Sequence, residues 1–320
     1  MSRRFLHTLA AYGVALVIIW YIARGISTAQ LLHDFSMANL WLFVPASLGS
    51  FTIWFAGETL LFACLFSFFN ARTSFREMLP ANAAQYFLQL VNSALAGSAL
   101  VLFMNRRKGV PFLAAGCSMI FQALLDVQIM AAMALAAAIL APGSLIHRYW
   151  YYPAAVLTPL LVNDWFWMRG RPASRLCQWF YDRPSMQAFR LAQPLHYVSL
   201  GAIRVAIFLA YGVMLYFQIK GFRVQVEPSQ VFAFLPAVLF FDGLPFTPVG
   251  LGPVQAILVT GFQGYASPAR LLAMALSISF MNIVFQAPLG LGSAGAFARE
   301  VTHAAARGLL RDQSAPAQAL

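Results

Sequence analysis

Long apolar segments recur along the chain, and short polar connections separate them. Each reaches roughly the 20 residues that a helix needs to cross the hydrocarbon core of a bilayer. Strands of an outer-membrane barrel would instead alternate apolar and polar residues in segments of about 10. The pattern therefore predicts an all-α polytopic membrane protein. The eight segments cover residues 5–23, 41–69, 79–104, 112–140, 150–167, 196–219, 231–262 and 271–292.

Two of these segments are poor candidates for straight apolar helices. Segment 79–104 carries Pro80, Ser93, Gly97, Ser98 and several Asn and Gln residues, and segment 231–262 is broken at FDGLPFTPVGLGP. The halves on each side of that break have about 10 residues, too few to cross a bilayer. Such halves can form a re-entrant hairpin, which enters and leaves the membrane on one side.

Composition narrows the class of protein. The 320 residues are 61% hydrophobic and only 10% charged, whereas soluble domains carry roughly 25% charged residues. This excludes a soluble enzyme, a disordered chain and a secreted disulfide scaffold. The net charge of +11 is explained by Arg-rich cytoplasmic loops facing anionic lipid, so we expect no nucleic-acid partner. Three isolated cysteines and five scattered histidines predict neither a disulfide framework nor a metal site, and no cofactor is expected.

The distribution of Lys and Arg favours one topology. If all eight segments cross, ten basic residues lie on each side, with Arg204 inside a span. If both broken segments are hairpins, fifteen lie in the cytoplasm and five outside. The positive-inside rule therefore favours six crossing helices plus two re-entrant hairpins, with both termini cytoplasmic. We interpret segment 5–23 as an uncleaved first helix, because it is long enough to span.

This topology implies an inverted-topology repeat within one membrane domain. Residues 1–145 and 146–320 would each contain two spans, a hairpin and a third span, in opposite orientations. Inverted repeats with interrupted helices are typical of transporters. Irregular backbone at membrane depth persists only where protein or a water-filled cavity covers it. We therefore expect the two hairpin tips to meet near the midplane around a polar site.

Charged residues inside apolar segments are candidates for that site, because each costs about 2.5–3.5 kcal/mol on insertion scales. Glu58, Asp126, Arg204 and Asp242 qualify. Arg204 could form a purely structural pair with Asp126 or Glu58, or belong to a substrate pathway. Asp242 lies at the hairpin break, where it could carry a proton or bind a cationic headgroup.

The break itself also suggests a binding function. Gly250 and Gly252 precede a half-helix that begins at Pro253, and unpaired N–H groups at such a start favour an anion such as a phosphate headgroup. The alternative is a packing kink without a ligand. Gln286, Gln122 and Asn282 are polar and central, and each could be a ligand or an interhelical hydrogen bond.

Residues 168–193 combine five arginines with aromatic residues. We interpret this segment as a cytoplasmic interfacial element on anionic lipid, with a protein-docking surface as the alternative.

Residues 244–292 resemble the membrane domain of the lysylphosphatidylglycerol synthase, or flippase-like, family. Its Pro-x-Thr-Pro-Gly-Gly-Leu-Gly-x-x-Glu run is matched except that Val249 replaces a glycine and Gln255 stands where Glu is frequent. Around residues 90–127, Asp126 matches a family aspartate, Asn92 replaces a usual proline and Gln122 lies near the usual arginine. The matching positions of the run are Pro245, Thr247, Pro248, Gly250, Leu251 and Gly252.

The resemblance implies a lipid or lipid-linked-intermediate translocase of the bacterial inner membrane. A non-transporting scaffold for a lipid or glycan synthase and an intramembrane lipid-modifying enzyme are the alternatives. No catalytic motif is present, so we expect no enzyme. The expected partners are membrane lipids, an anionic or lipid-linked substrate, a synthase and a second copy of the chain. The predicted substrate-binding residues are Asn92, Asp126, Arg204, Asp242, Thr247, Gly250, Gly252, Gln255 and Gln286.

Overall fold

A computed structural model describes residues 13, 17–24, 26–91, 93–140, 148–170, 178–179, 181–243 and 252–313, without the side chains of 87, 90, 91, 93–95, 184 and 291–313. Within these residues the chain forms helices and no strand, which confirms the all-α prediction. The α-helices are α1 (Thr28–Ser36), α2 (Leu40–Phe69), α3 (Phe75–Val91), α4 (Ser93–Lys108), α5 (Phe112–Leu140), α6 (Tyr151–Met168), α7 (Gln187–Leu191), α8 (Pro194–Gly221), α9 (Pro228–Asp242), α10 (Pro253–Phe262) and α11 (Pro268–Gln313), with a 3₁₀ turn at Pro184–Met186.

Four of the described helices are long and apolar enough to cross a membrane: α2, α5, α8 and the Pro268–Gly290 part of α11. Their outer faces expose large apolar side chains that water would disfavour and lipid tails accept. The prediction of a multi-pass membrane protein is thereby confirmed. These exposed side chains include Val44, Leu48, Ile120, Leu209, Val213, Phe217, Phe280 and Val284.

The sequence predicts two further spans that are not among these four helices. Segment 5–23 lies mostly outside the described residues. Segment 150–167 corresponds to α6, whose 18 residues give a length of about 27 Å, close to the thickness of a bilayer core. Its prolines, Asn163 and Asp164 interrupt the apolar composition, and α6 is not among the four apolar helices.

Helices α2 and α8 pack side by side in opposite directions over nearly their whole length. Near one end, the Asn39 N–H donates to the Gly221 carbonyl over 2.7 Å, and the Gln218 amide donates to the Ser47 hydroxyl over 3.2 Å. Near the other end, the rings of Phe68 and His196 stack at 4.7 Å. Because α2 numbering rises while α8 numbering falls along the interface, the pair is antiparallel.

Glycines on α2 allow this close approach. A Cβ added at Gly57 would lie 2.5 Å from Ile207 Cγ1, and one at Gly49 would lie 2.9 Å from Met214 Sδ. Small residues at helix contacts let backbones approach within membranes, where van der Waals packing drives association. Gly57 precedes Glu58, so this contact also sets how near that carboxylate lies to α8.

The broken segment 79–104 forms two helices, α3 and α4, that fold back on each other. Lys108 at the end of α4 donates to Glu77 at the start of α3, with Nζ and Oε1 2.8 Å apart. A straight helix would separate these residues by about 46 Å. Bonds from Lys108 and from the Ser74 backbone N–H lower the pKa of Glu77 to about 2, so the pair stays charged near neutral pH. The first helix ends at Val91 and the second begins at Ser93, and Asn92 between them lies outside the described residues.

The second broken segment is likewise two helices in contact. The Phe234 and Phe262 rings lie 5.6 Å apart, and a Cβ at Gly261 would lie 2.9 Å from Phe234 Cδ1. Since Phe234 is in α9 and Gly261 is near the far end of α10, the chain reverses between them.

The two folded-back helix pairs contact long helices in a reciprocal manner. Helix α3 of the first half packs against α11 at the end of the second half. Helix α9 of the second half packs against α5, the last long helix of the first half. Each pair therefore contacts both its own half of the chain and the other half.

We predict that Gly57→Ala destabilises the protein by about 1–3 kcal/mol, because its new methyl group overlaps Ile207 in a packed interface. Gly116→Ala on α5 is the matched control, since a Cβ there meets nothing within 4 Å. Thermal unfolding of both variants in detergent measures the difference. Equal stability of the two variants would contradict close packing at Gly57.

We also predict that Glu77→Cys and Lys108→Cys, each in a background lacking Cys64, Cys117 and Cys177, label from the same side of the membrane with an impermeant maleimide. The 2.8 Å contact between the native side chains requires this. Met37→Cys and Arg72→Cys, which flank the 30-residue α2, should label from opposite sides. Opposite labelling of residues 77 and 108 would instead show that α3 and α4 cross together.

Candidate functional site

Arg204 is the centre of a buried polar network. It lies on α8 with only 4% of its surface exposed. Its Nε and Nη2 atoms donate to the two carboxylate oxygens of Asp126 on α5. Its Nη1 atom lies 3.6 Å from Glu58 Oε1 on α2. The planar guanidinium fork matches a carboxylate in this two-bond geometry, so Asp126 is the primary partner and Glu58 flanks the pair.

Aromatic rings enclose the guanidinium group. The Arg204 Cζ atom lies 5.2 Å from the centroid of the Phe208 ring and 5.7 Å from that of Trp54. These two rings stack on each other at 5.9 Å, and Tyr211 packs edge-on against Trp54 at 5.3 Å. The negative faces of such rings attract a cation. The rings also shield the guanidinium from water, which strengthens its electrostatic attraction to the carboxylates.

Two neutral side chains extend the network at its carboxylates. The Gln122 amide, one helical turn before Asp126, donates to Asp126 Oδ2 over 2.7 Å. The Tyr86 hydroxyl on α3 donates to Glu58 Oε2 over 3.0 Å. Polar side chains from α2, α3, α5 and α8 are thereby joined in one connected set.

A polar cavity of about 40 Å³ lies next to this network. A space of this size holds one to a few water molecules. Tyr86 belongs to both features, because it lines the cavity and donates to Glu58. The cavity lining comes from α2, α3, α8, α9 and α11, and comprises Ser50, Phe51, Trp54, Tyr86, Gln89, Tyr211, Asp242, Asn282 and Gln286.

Both folded-back helix pairs contribute to the cavity close to their tips. Gln89 lies in the last turn of α3, and Asp242 is the last residue of α9. These two side chains therefore line one cavity although they come from different halves of the chain.

Gln286 on α11 supplies an unsatisfied acceptor at the cavity. Its side chain is 7% exposed, and its Oε1 atom has no hydrogen-bond partner among the described residues. A buried amide oxygen without a partner costs free energy, roughly 1–3 kcal/mol. A group that donates to it, or a cation, would recover that cost.

Gln255 forms a separate cluster at the start of α10. Its Oε1 accepts the Gly252 N–H over 2.5 Å, and its Nε2 donates to Ser279 Oγ on α11 over 2.6 Å. Gly252 has φ +94°, a backbone conformation that favours glycine. The Gly252 N–H, a group expected to attract an anion, is thus satisfied by the protein itself, and Gln255 is fully buried.

The structure brings the predicted site residues together in three groups. Asp126 and Arg204 are paired, Asp242 and Gln286 share the cavity, and Gly252 bonds Gln255. Asn92, Thr247 and Gly250 lie outside the described residues.

The sequence does not indicate that Tyr86 belongs to the site, and it does not decide whether Glu58 is structural or functional. Tyr86 sits in an ordinary aromatic context, so only its contact with Glu58 reveals it. Glu58 was recognised as a buried charge, and its partner depends on how α2 is rotated against α8.

A second buried carboxylate, Asp164 on α6, was also missed because it lies near the end of an apolar segment. It is 5% exposed and accepts bonds from Gln128 over 2.5 Å and from Tyr197 over 3.1 Å. Asn163 also donates to it over 3.4 Å. These neutral donors fasten α5, α6 and α8 together, and Asp164 lies apart from the cavity lining.

Comparison with known families matches one membrane domain. The family model for the lysylphosphatidylglycerol synthase TM region matches residues 8–290 of the 320-residue chain. The match includes every helix that contributes to the network and the cavity. A comparison with curated proteins finds no significant match.

We predict that Arg204→Met destabilises the protein by about 3–5 kcal/mol, because it leaves the buried Glu58 and the partly buried Asp126 without their counter-charge. Lys108→Met is the matched control. Lys108 pairs with Glu77 at 2.8 Å, but the Glu77 side chain is 43% exposed, and exposed pairs contribute only about 0–1 kcal/mol. Thermal unfolding in detergent should rank the two variants in this order. A loss at Lys108 as large as that at Arg204 would contradict the central place of the buried network.

Proposed function

Because the chain belongs to the lysylphosphatidylglycerol synthase TM-region family, we propose that it is a lipid or lipid-linked-intermediate translocase. In this proposal it resides in the bacterial inner membrane, with both termini in the cytoplasm. Six helices cross the bilayer, and α3–α4 and α9–α10 are re-entrant hairpins. Substrate is held between the hairpins near the midplane, and the protein transports lipid without changing it chemically.

The packing of the helices supports an inverted repeat of residues 1–145 and 146–320. In such a repeat the second spans of the two halves, α2 and α8, should be antiparallel, as their contacts are. Each hairpin should also occupy the same place relative to the opposite half. The reciprocal contacts of α3 with α11 and of α9 with α5 agree with that symmetry.

A polar cavity lined from both folded-back helix pairs is the observation that carries the proposal. Gln89 from the first hairpin and Asp242 from the second line the same space. Transporters built from inverted repeats place substrate sites between discontinuous helices near the midplane. Polar lining at that depth is costly unless water, an ion or a substrate group uses it.

The size of the cavity indicates how transport would proceed. Its volume of about 40 Å³ accommodates a few waters and is too small for a phosphorylated headgroup. The hairpins must therefore separate to admit substrate. Since α3 packs against α11 and α9 packs against α5, movement of one half against the other would open the space from either side.

The ends of the helices support recognition of anionic headgroups. The Arg169 Cζ atom lies 3.5 Å from the ring centroid of Trp165, and that of Arg183 lies 3.7 Å from the ring centroid of Trp179. Arginine beside tryptophan suits a membrane interface, because the ring occupies the headgroup region and the guanidinium binds phosphate. We propose that these arginines concentrate anionic or lipid-linked substrate at the cytoplasmic surface.

Reconstitution tests this proposal directly. Purified protein in phosphatidylcholine–phosphatidylglycerol vesicles should move fluorescent phosphatidylglycerol, or a labelled polyprenyl-linked glycan, between leaflets faster than protein-free vesicles. Dithionite quenching of the outer leaflet reports the movement. Gln89→Trp should reduce it to the protein-free rate because the ring fills the cavity between the tips. Leu113→Trp, at a 60% exposed position on α5, should leave it unchanged.

Three results would contradict the proposal. Failure to move any of these lipids under sodium or proton gradients would count against transport. A change in lipid mass during the assay would indicate an enzyme. Equal transport by Gln89→Trp and the wild type would show that the path avoids the hairpin tips.

A further inference from the structure

We infer that the cavity between the hairpin tips is a binding site for a small monovalent cation, held by Asp242 and Gln286. The inference concerns the chemistry of the cavity itself. A role for this cation in driving transport rests on the proposed function. The presence of an ion-binding site does not depend on transport.

The cavity presents acceptors that are not satisfied by the described part of the protein. Gln286 Oε1 is buried and unpartnered there. Among the described residues, no Lys or Arg forms an ion pair with Asp242. A carboxylate and an unpaired amide oxygen in one cavity attract a cation and repel an anion.

The neighbouring network does not supply the missing positive charge. The guanidinium of Arg204 is bound through two bonds to Asp126 and faces Glu58 with its remaining nitrogen. The single positive charge of Arg204 therefore faces two carboxylates, Asp126 and Glu58, and Asp242 is a third. An additional uncompensated carboxylate at this depth is strongly disfavoured, so a bound cation at Asp242 would relieve the imbalance.

The described groups that line the cavity with Asp242 come from several helices, and none of them is a Lys or Arg. Tyr86 on α3 and Tyr211 on α8 share the cavity with Asp242, and Tyr86 donates to Glu58 on α2. Helix α11 contributes the neutral amides of Asn282 and Gln286 to the lining. The surroundings are thus neutral oxygens, aromatic hydroxyls and one further carboxylate.

Volume and charge select the kind of ion. About 40 Å³ accommodates a sodium or potassium ion with a water molecule, or a protonated water, but no amine-bearing headgroup. One carboxylate combined with neutral oxygens suits a single positive charge, whereas calcium sites usually combine several carboxylates. A metal ion and a proton share this chemistry, and the experiment separates them.

The position of Asp242 couples the site to the hairpins. Asp242 ends α9, and Tyr86, which shares the cavity, lies on α3 of the other hairpin. A cation bound there attracts groups from both tips, which favours the closed arrangement. Loss of the cation would leave the Asp242 carboxylate near that of Glu58 on α2, and their repulsion favours movement of α9 away from the cavity.

Thermal unfolding of the purified protein in detergent tests the site without any lipid substrate. Sodium or potassium chloride is titrated against N-methyl-D-glucamine chloride at constant ionic strength, over a series of pH values. For a metal ion, Tm rises saturably with that ion and not with the organic cation, because ligands that bind the native state stabilise it. For a proton, Tm rises as pH falls, at every salt composition.

Asp242→Asn should abolish whichever response the wild type shows. Asp164→Asn is the matched control, because Asp164 is a buried carboxylate outside the cavity with its own donors; its variant should keep the response. Gln286→Leu removes one acceptor and should raise the midpoint concentration of a metal ion about tenfold, or lower the midpoint pH by about one unit for a proton. This variant also decides the question if Asp242→Asn does not fold.

The inference is overturned if the wild-type Tm is indifferent to sodium, potassium and pH, or if the Asp242 and Gln286 variants respond as the wild type does. A cation response that persists in a protein that moves no lipid would uphold the site and count only against transport. Transport without any cation response would uphold the proposed function and count only against the cation site.

Discussion

A guanidinium group buried in a membrane protein must be neutralised and hydrogen-bonded where it lies, and Arg204 imposes this demand on four helices. Its 4% exposure leaves no route for the charge to reach water. Asp126 must therefore face it from α5 and Glu58 from α2, and the Tyr86 hydroxyl on α3 then bonds Glu58. These contacts require that one particular face of each of the four helices points inward.

Close packing makes the network attainable. Gly57 lets α2 approach α8 until an added Cβ would overlap Ile207, and Glu58 is the next residue along the chain. A larger side chain at position 57 would move the carboxylate away from Arg204. Van der Waals contact and electrostatics are therefore not independent here, since the same helix pair satisfies both. Because the two helices are antiparallel, the start of α2 lies beside the end of α8, and the end of α2 lies beside the start of α8.

Much of the helical pattern could be predicted from sequence, because a bilayer accepts so few structures. Runs of apolar residues gave the positions of α2, α5, α8 and the first part of α11 closely. Polar and glycine content in segment 79–104 correctly indicated a break, although the helices extend to Phe75 and Lys108. The backbone of α11 continues to Gln313, beyond its apolar part. The length of an apolar run indicates which residues can lie in lipid, but it does not indicate how far the helix continues beyond the lipid.

The candidate site was less predictable. A charged residue in an apolar segment indicates that it has a partner, but the sequence does not indicate which residue that partner is. Asp126 and Glu58 were equal candidates for Arg204, and only helix rotation makes Asp126 the two-bond partner. Tyr86 has no sequence signature apart from its place in a polar segment.

The cap of α10 has an electrical consequence of its own. Gln255 accepts from Gly252 and donates to Ser279 while carrying no charge. The peptide dipoles of a helix leave about half a positive charge at its start, and an amide does not cancel it as a carboxylate would. The beginning of α10 therefore keeps its positive potential, and an amide does not titrate in the physiological range. The half-helix is anchored by bonds that acid leaves intact, so any pH sensitivity of this hairpin must arise from its other residues.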